Sequence, residues 1–220
     1  MIKKKFVWGF IIAVAIIVIL FFVFNKPTTQ IELSIGNSPV LGDANASVII
    51  YEFTDFSCPY CKASEGANGE VENALKSKYP GWEAPMPLVK ENYVKTGKVK
   101  IVFKYFPGHG SAEAAHAVAW ALNNQSSDLF WKFEEEAFKE TENLNNINKM
   151  IELAVSLGGD KTKIESYIAS KKYETQMDND IAMGESNEVG GTPSFFINGE
   201  VVAGAQSYST IRDVIESKLN

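Results

Sequence analysis

Apolar positions fall in distinct blocks along the 220-residue chain. The first, Phe6–Phe24, runs 19 residues without a charge. As a helix it would reach ~29 Å, about one bilayer hydrocarbon core. Val48–Thr54 and Val99–Phe106 are rich in β-branched and aromatic residues and read as buried strands. From Gly108 to Glu188 the period becomes helical. Ala112, Ala115, Ala119 and Leu122 share one helical face, and Phe130, Phe133 and Ala137 repeat that spacing. Gly158-Gly159 interrupts this block, and Asp160 suits a helix cap beyond it. Ser194–Ile197 and Glu200–Gly204 flank Asn198-Gly199, a type I′ hairpin signal. Ile211, Val214, Ile215 and Leu219 then predict a last helix over Tyr208–Leu219. Between the first two strands Gly66, Gly69, Pro80-Gly81, Pro85 and Pro87 break the pattern, leaving helices expected at Glu70–Lys78 and Leu88–Lys95.

Charge gives the blocks a direction. Lys3, Lys4 and Lys5 precede the apolar run, which favours a cytoplasmic N-terminus and export of the rest. A cleaved signal peptide has a shorter apolar region ending in small residues. Here the run ends Phe21-Phe22-Val23-Phe24-Asn25, so an uncleaved single-pass anchor in the cell membrane is expected, and either route places the body outside the cytoplasm. Beyond Lys26 the chain carries 17 Lys and Arg against 27 Asp and Glu, a charge of −10. Such a body lacks the basic footprint of nucleic-acid binding.

The chain has two cysteines, Cys58 and Cys61, set where the first strand ends and a helix is expected to start. Pro59 suits the first helical position, where its missing N–H is no loss. A helix N-terminus stabilises a thiolate, so Cys58 is expected to be accessible, acidic and nucleophilic. Cys61, one turn on, is expected to resolve the mixed disulfide. A zinc site would need two more ligands, and His109 and His116 have the wrong spacing, so no metal is expected. A structural disulfide closing so short a loop would stabilise little.

Three stretches, GDANASVIIYEFTDFSCPYCK, TGKVKIVFKYFP and VGGTPSFFINGEVVAGAQSYSTIRDVI, together resemble the DsbA-like branch of the thioredoxin superfamily, in order over most of residues 40–220. The resemblance implies an α/β thioredoxin fold with an inserted α-helical domain, here preceded by one N-terminal transmembrane helix. Its expected division is a stub and anchor (1–26), a linker (27–40), the first thioredoxin part (41–107), the helical insertion (108–188) and the second thioredoxin part (189–220). It makes Cys58 the attacking and Cys61 the resolving cysteine of a redox-active disulfide, with no further cofactor. It makes Thr192 and a cis Pro193 the loop that pairs with substrate, beside Pro59 and Tyr60; a simple strand-start proline is the alternative.

The family also places a buried acid at Glu52, which would move the Cys61 proton; an exposed edge-strand glutamate is the alternative. Lys104 is the expected partner of Glu52 in a proton relay, unless it is a surface lysine. Asp55 is expected to shape the turn before the motif. Tyr60 stands where the strongest oxidases of the family carry histidine, and residues 63–87 exceed a single active-site helix. The implied activity is thiol–disulfide exchange. It would introduce disulfides into reduced or unfolded exported proteins, with a quinone-linked membrane oxidase as reoxidant. A reductase or isomerase, or a tethered non-redox chaperone, are the alternatives.

Overall fold

A computed structural model describes residues 32–108 and 112–219. The expected anchor at 1–26 and the first residues of the linker lie outside the described residues. Among those described, no helix is long and apolar enough to cross a membrane.

One mixed five-stranded sheet organises the fold, in the order β1-β3-β2-β4-β5. The strands are β1 (Val40–Leu41), β2 (Val48–Thr54), β3 (Val99–Tyr105), β4 (Ser194–Ile197) and β5 (Glu200–Ala203). Central β2 runs parallel to β3 and antiparallel to β4. A strand covered on both faces needs apolar residues on both, hence the near-continuous run in β2. Val48 and Ile50 enter the main core, while Tyr51 and Phe53 enter a second core on the opposite face. The hairpin turn has positive φ at Asn198 (44°) and Gly199 (87°), the conformation a type I′ turn requires. Strand β1, which has no sequence signal of its own, pairs antiparallel with β3 through two residues.

Two stretches between β2 and β3 depart from expectation. The active-site helix α1 (Pro59–Ser64) has six residues only. Gly66, at φ 70°, follows it, and Asn68 caps a separate α2 (Gly69–Lys78) that buries no residue. Helix α3 (Pro85–Val89) begins earlier than its apolar pattern suggests, because Pro85 and Pro87 fall in its first turn. It runs on into a π-helical turn, Lys90–Val94, closed by Lys95 N–H donating to the Lys90 carbonyl at 3.1 Å.

Among the described residues, five helices are inserted between β3 and β4: α4 (Glu113–Asn123), α5 (Ser127–Lys139), α6 (Ile147–Ser156), α7 (Lys161–Ala169) and α8 (Lys172–Ser186). Asp160 caps α7 through the Lys163 N–H at 3.1 Å. The last helix, α9 (Tyr208–Leu219), buries Ile211 and Ile215.

Candidate active site

The redox pair sits at the β2–α1 junction, with Cys58 as the N-cap residue and Pro59 in the first turn. Both cysteines are free thiols. Their surroundings shift them in opposite directions. The Cys58 thiol is lowered to about 6, first by a hydrogen bond from Cys61. Burial opposes this, while Thr192 and the backbone N–H groups of Cys61 and Tyr60 assist it. Cys61 is raised well above an ordinary thiol, by burial and then by the Cys58 sulfur it faces. The Thr54 hydroxyl lies beside Cys61 and opposes that rise.

The expectation of an accessible Cys58 is corrected. Its side chain is 1% exposed. The Thr192 carbonyl oxygen lies 3.4 Å from its sulfur, a contact in which only the protonated thiol can donate. Gly108, beyond β3, approaches so closely that a Cβ there would stand 2.9 Å from the Cys58 Cβ. Sequence position places Cys58 at a helix start, but neither of the two segments that close over it is near it in the chain.

Asp55 fastens one of those segments. Its Oδ2 accepts the Gly108 N–H at 2.7 Å, and its Oδ1 accepts the Ser57 N–H at 2.8 Å and the Ser57 hydroxyl at 2.9 Å. His116 Nε2 lies 3.3 Å from Oδ1, with its ring stacked on Phe56 at 4.3 Å. Burial pushes the Asp55 carboxyl up, but His116 and the N–H groups of Gly108 and Ser57 outweigh it and leave the pKa lowered. Asp55 therefore shapes the turn, as expected, and also anchors Gly108. The role of His116 has no local signal in the sequence, because its partner lies 61 residues away.

Glu52 is 1% exposed on the central strand, which sets aside the exposed edge-strand alternative. Burial raises its carboxyl well above the usual range, Glu65 and Glu134 add to the rise, and Lys90 opposes it. The expected pairing with Lys104 is corrected. Register places Glu52 opposite Phe103, and Phe53 opposite Lys104. Side chains alternate faces along a strand, so Glu52 and Lys104 project from opposite sides of the sheet. Lys104 is neither a surface residue nor a partner of Glu52: it is buried, 3.2 Å from Asp180 Oδ1 and 2.7 Å from Ser38 Oγ. The lysine facing Glu52 is Lys90, whose ammonium binds Glu65 at 2.8 Å and Glu134 at 3.2 Å.

The peptide bond between Thr192 and Pro193 is cis. Thr192 and Tyr60 line a groove of about 450 Å³ with Leu75, Tyr79 and Trp82, and no residue lining it is charged. Trp82 is held by its indole N–H, which donates to the Ala205 carbonyl at 2.9 Å. Tyr60 and Tyr79 are about half exposed, two of the four large apolar side chains so exposed among the described residues. Thus Cys58, Cys61, Tyr60 and Thr192 meet, Glu52 lies on their side of the sheet, and Lys104 does not join them.

An acidic thiol and a resolving thiol at a strand–helix junction, facing a cis-proline loop on this sheet, define a thiol–disulfide oxidoreductase. A family model described as Thioredoxin matches residues 34–82 and 80–217. Disulfide bond formation protein D of Bacillus subtilis (strain 168) is 25% identical over 195 residues, covering 84% of this chain and 79% of that protein. The thiol:disulfide interchange protein DsbA of Bordetella pertussis is 26% identical over 168 residues, covering 74% and 69%. The crystal structure of oxidised BdbD from Bacillus subtilis superposes with a TM-score of 0.67 at 23% identity, covering 84% of this chain and 95% of that one. The chain belongs to the thioredoxin family, and within it is a DsbA-like oxidoreductase whose redox group is its own cysteine pair.

Proposed function

We infer that this chain introduces disulfides into reduced, exported proteins. The observation that carries this reading is the asymmetric placement of the pair: Cys58 caps the helix, where Cys61 and the backbone N–H groups of Cys61 and Tyr60 lower its pKa, while burial raises that of Cys61. A stable thiolate is a good leaving group and favours the reduced enzyme, which makes the oxidised enzyme a willing donor of its disulfide.

A substrate thiolate attacks the Cys58 sulfur of the oxidised pair. A mixed disulfide forms, and Cys61 leaves as a thiolate that takes up one proton, for which Glu52 is the nearby acid. A second substrate thiolate then attacks the substrate sulfur of the mixed disulfide and releases Cys58 as a thiolate. One substrate disulfide is made, and of the two substrate thiol protons one stays on Cys61 and one is released. In this reading Thr192 and Pro193 pair with the extended substrate backbone, and Pro59 and Tyr60 present the reactive sulfur. The uncharged groove beside Thr192 takes the substrate side chains next to the cysteine. Entry requires the Gly108 segment to move off Cys58.

Residues 41–107 and 189–220 serve as the two parts of the catalytic domain, around an insertion at 108–188. The apolar run 6–24 would anchor it outside the cytoplasm, near a quinone-linked membrane oxidase that returns the pair to the disulfide; tethering raises the effective concentration of such a partner. The test is disulfide transfer from the oxidised protein to a reduced, unfolded substrate. Transfer lost in Cys58→Ser supports the reading. No transfer by the intact pair ends it, and a largely reduced pair in cells reverses its direction to reductase or isomerase.

A further inference from the structure

One histidine of the inserted helices reaches the redox pair through a single intermediary. His116, in the first turn of α4, is 1% exposed and lies among aromatic rings. It stacks on Phe56 at 4.3 Å and meets Tyr105 edge-on at 4.4 Å. An aliphatic or aromatic side chain would fill this cage without burying a polar atom. The imidazole instead buries Nδ1 with no hydrogen-bond partner, which costs about 1–3 kcal/mol. What sets it apart from such a filler is the contact of Nε2 with Asp55 Oδ1 at 3.3 Å. Nε2 also lies 3.5 Å from the Phe56 nitrogen. It carries the hydrogen, because a charge-assisted bond to a carboxylate is the stronger of the two.

Asp55 links that contact to both cysteines. Its carbonyl accepts the Cys58 N–H at 3.0 Å. Its own N–H faces the Cys61 sulfur and works against the rise of that thiol. Its carboxylate is a near neighbour of Cys58, since one carbon added to Gly108 would touch Cys58 Cβ at 2.9 Å and Asp55 Oδ2 at 3.3 Å. A negative charge so placed disfavours a thiolate unless donors offset it. The donors are the Gly108 N–H, the Ser57 N–H and hydroxyl, and His116 Nε2–H. Of these only His116 stands on an inserted helix. Tyr105 of β3, held up to about 12 by burial and then by Asp55, and Lys62 of α1, which donates to the Glu140 carbonyl, also face Asp55.

We propose that His116 is a positioning residue for the redox pair: it fixes the Asp55 carboxylate and offsets its charge beside Cys58, so that an inserted helix sets how strongly the pair oxidises. His116 touches no reacting atom and acts through Asp55. This role rests on the redox reading above. Without the Nε2–H donor the carboxylate turns more of its charge on Cys58, the thiolate is less stable, and the oxidised enzyme becomes a weaker donor of its disulfide.

The test compares the whole wild-type protein with His116→Leu, which removes the donor and keeps an apolar filler. Two quantities are measured: the pH midpoint of Cys58 alkylation, and the thiol–disulfide equilibrium with glutathione. In His116→Leu the midpoint should rise from about 6 by about one pH unit, and the equilibrium should move about tenfold toward the disulfide at pH 8. His116→Gln, which restores an N–H donor, should return both toward wild type. In Asp55→Asn protein, which lacks the charge, His116→Leu should change neither. A folded His116→Leu protein with unchanged midpoint and equilibrium overturns the proposal, whatever it loses in stability. So does an equal shift in Asp55→Asn protein, which shows that His116 does not act through Asp55. If His116→Leu fails to fold, His116→Phe, which keeps a ring on Phe56, takes its place in both measurements. Wild-type protein that exchanges no disulfide with glutathione would instead sink the redox reading itself.

Discussion

Lys104 Nζ sits 3.2 Å from Asp180 Oδ1, and both side chains are buried between β3 and α8. Asp180 Oδ2 also accepts the Tyr105 N–H at 3.1 Å. The pair thus pins the last inserted helix to the end of β3. Burial raises the Asp180 carboxyl, and Lys104 opposes that rise. Removing one member leaves a buried charge without its counterpart, so Asp180→Ala should cost about 3–5 kcal/mol in denaturant unfolding. Lys104→Met combined with Asp180→Leu should recover part of that loss, and the pH dependence of Cys58 alkylation should stay as in the wild type.

Titration of Cys58 carries a stability consequence. A free thiol titrates at ~8.5, whereas Cys58 in the folded, reduced protein titrates at about 6. A depressed acid stabilises the fold fully above its unfolded pKa and ceases to do so as pH falls through its folded pKa. Reduced protein should therefore gain about 2 kcal/mol between pH ~6 and pH ~8.5, relative to oxidised protein, which has no thiols; the raised Cys61 begins to oppose the gain at the upper end. Paired urea titrations of the two forms across that window check the sign. Alkylation of Cys58 should show its midpoint at about 6.

Gly108 has no room for a side chain. A Cβ there would stand 2.9 Å from the Cys58 Cβ and 3.3 Å from both Asp55 Oδ2 and Thr192 Oγ1. Gly108→Ala should push the segment off Asp55, costing about 1–3 kcal/mol as overpacking does. The displaced segment would uncover Cys58, so alkylation at a fixed thiolate fraction should be faster than in the wild type. Equal or slower alkylation would show that this segment does not limit access.

Tyr79 gives the uncharged groove beside Thr192 a wall from α2's end that a single active-site helix would not supply. Tyr79→Ala should raise KM about tenfold for peptide substrates with an aromatic or aliphatic residue beside the cysteine, in line with the ~1–3 kcal/mol of a lost apolar contact. It should leave kcat and the Cys58 pKa unchanged. A matched peptide with a charged residue at that place should show a smaller effect.

The features legible along the chain are those that depend on sequence neighbours. Periodicity marked β2, β3 and the helical block, Asn198-Gly199 marked the hairpin, and Cys58-Pro59-Tyr60-Cys61 after a strand marked a thiol pair at a helix start. Backbone pattern, turn chemistry and helix-end electrostatics are local, so they can be read in one dimension. Which distant groups meet depends on how the layers assemble. Strand register turned Lys104 away from Glu52 toward Asp180, and the π-helical turn brought Lys90 to Glu52 in its place. Packing closed Thr192 and Gly108 over Cys58, and set His116 against Asp55. A buried charge takes its partner from whatever side chain shares its sheet face and its cavity. Alternation along each strand narrows that choice, but only the assembled layers complete it.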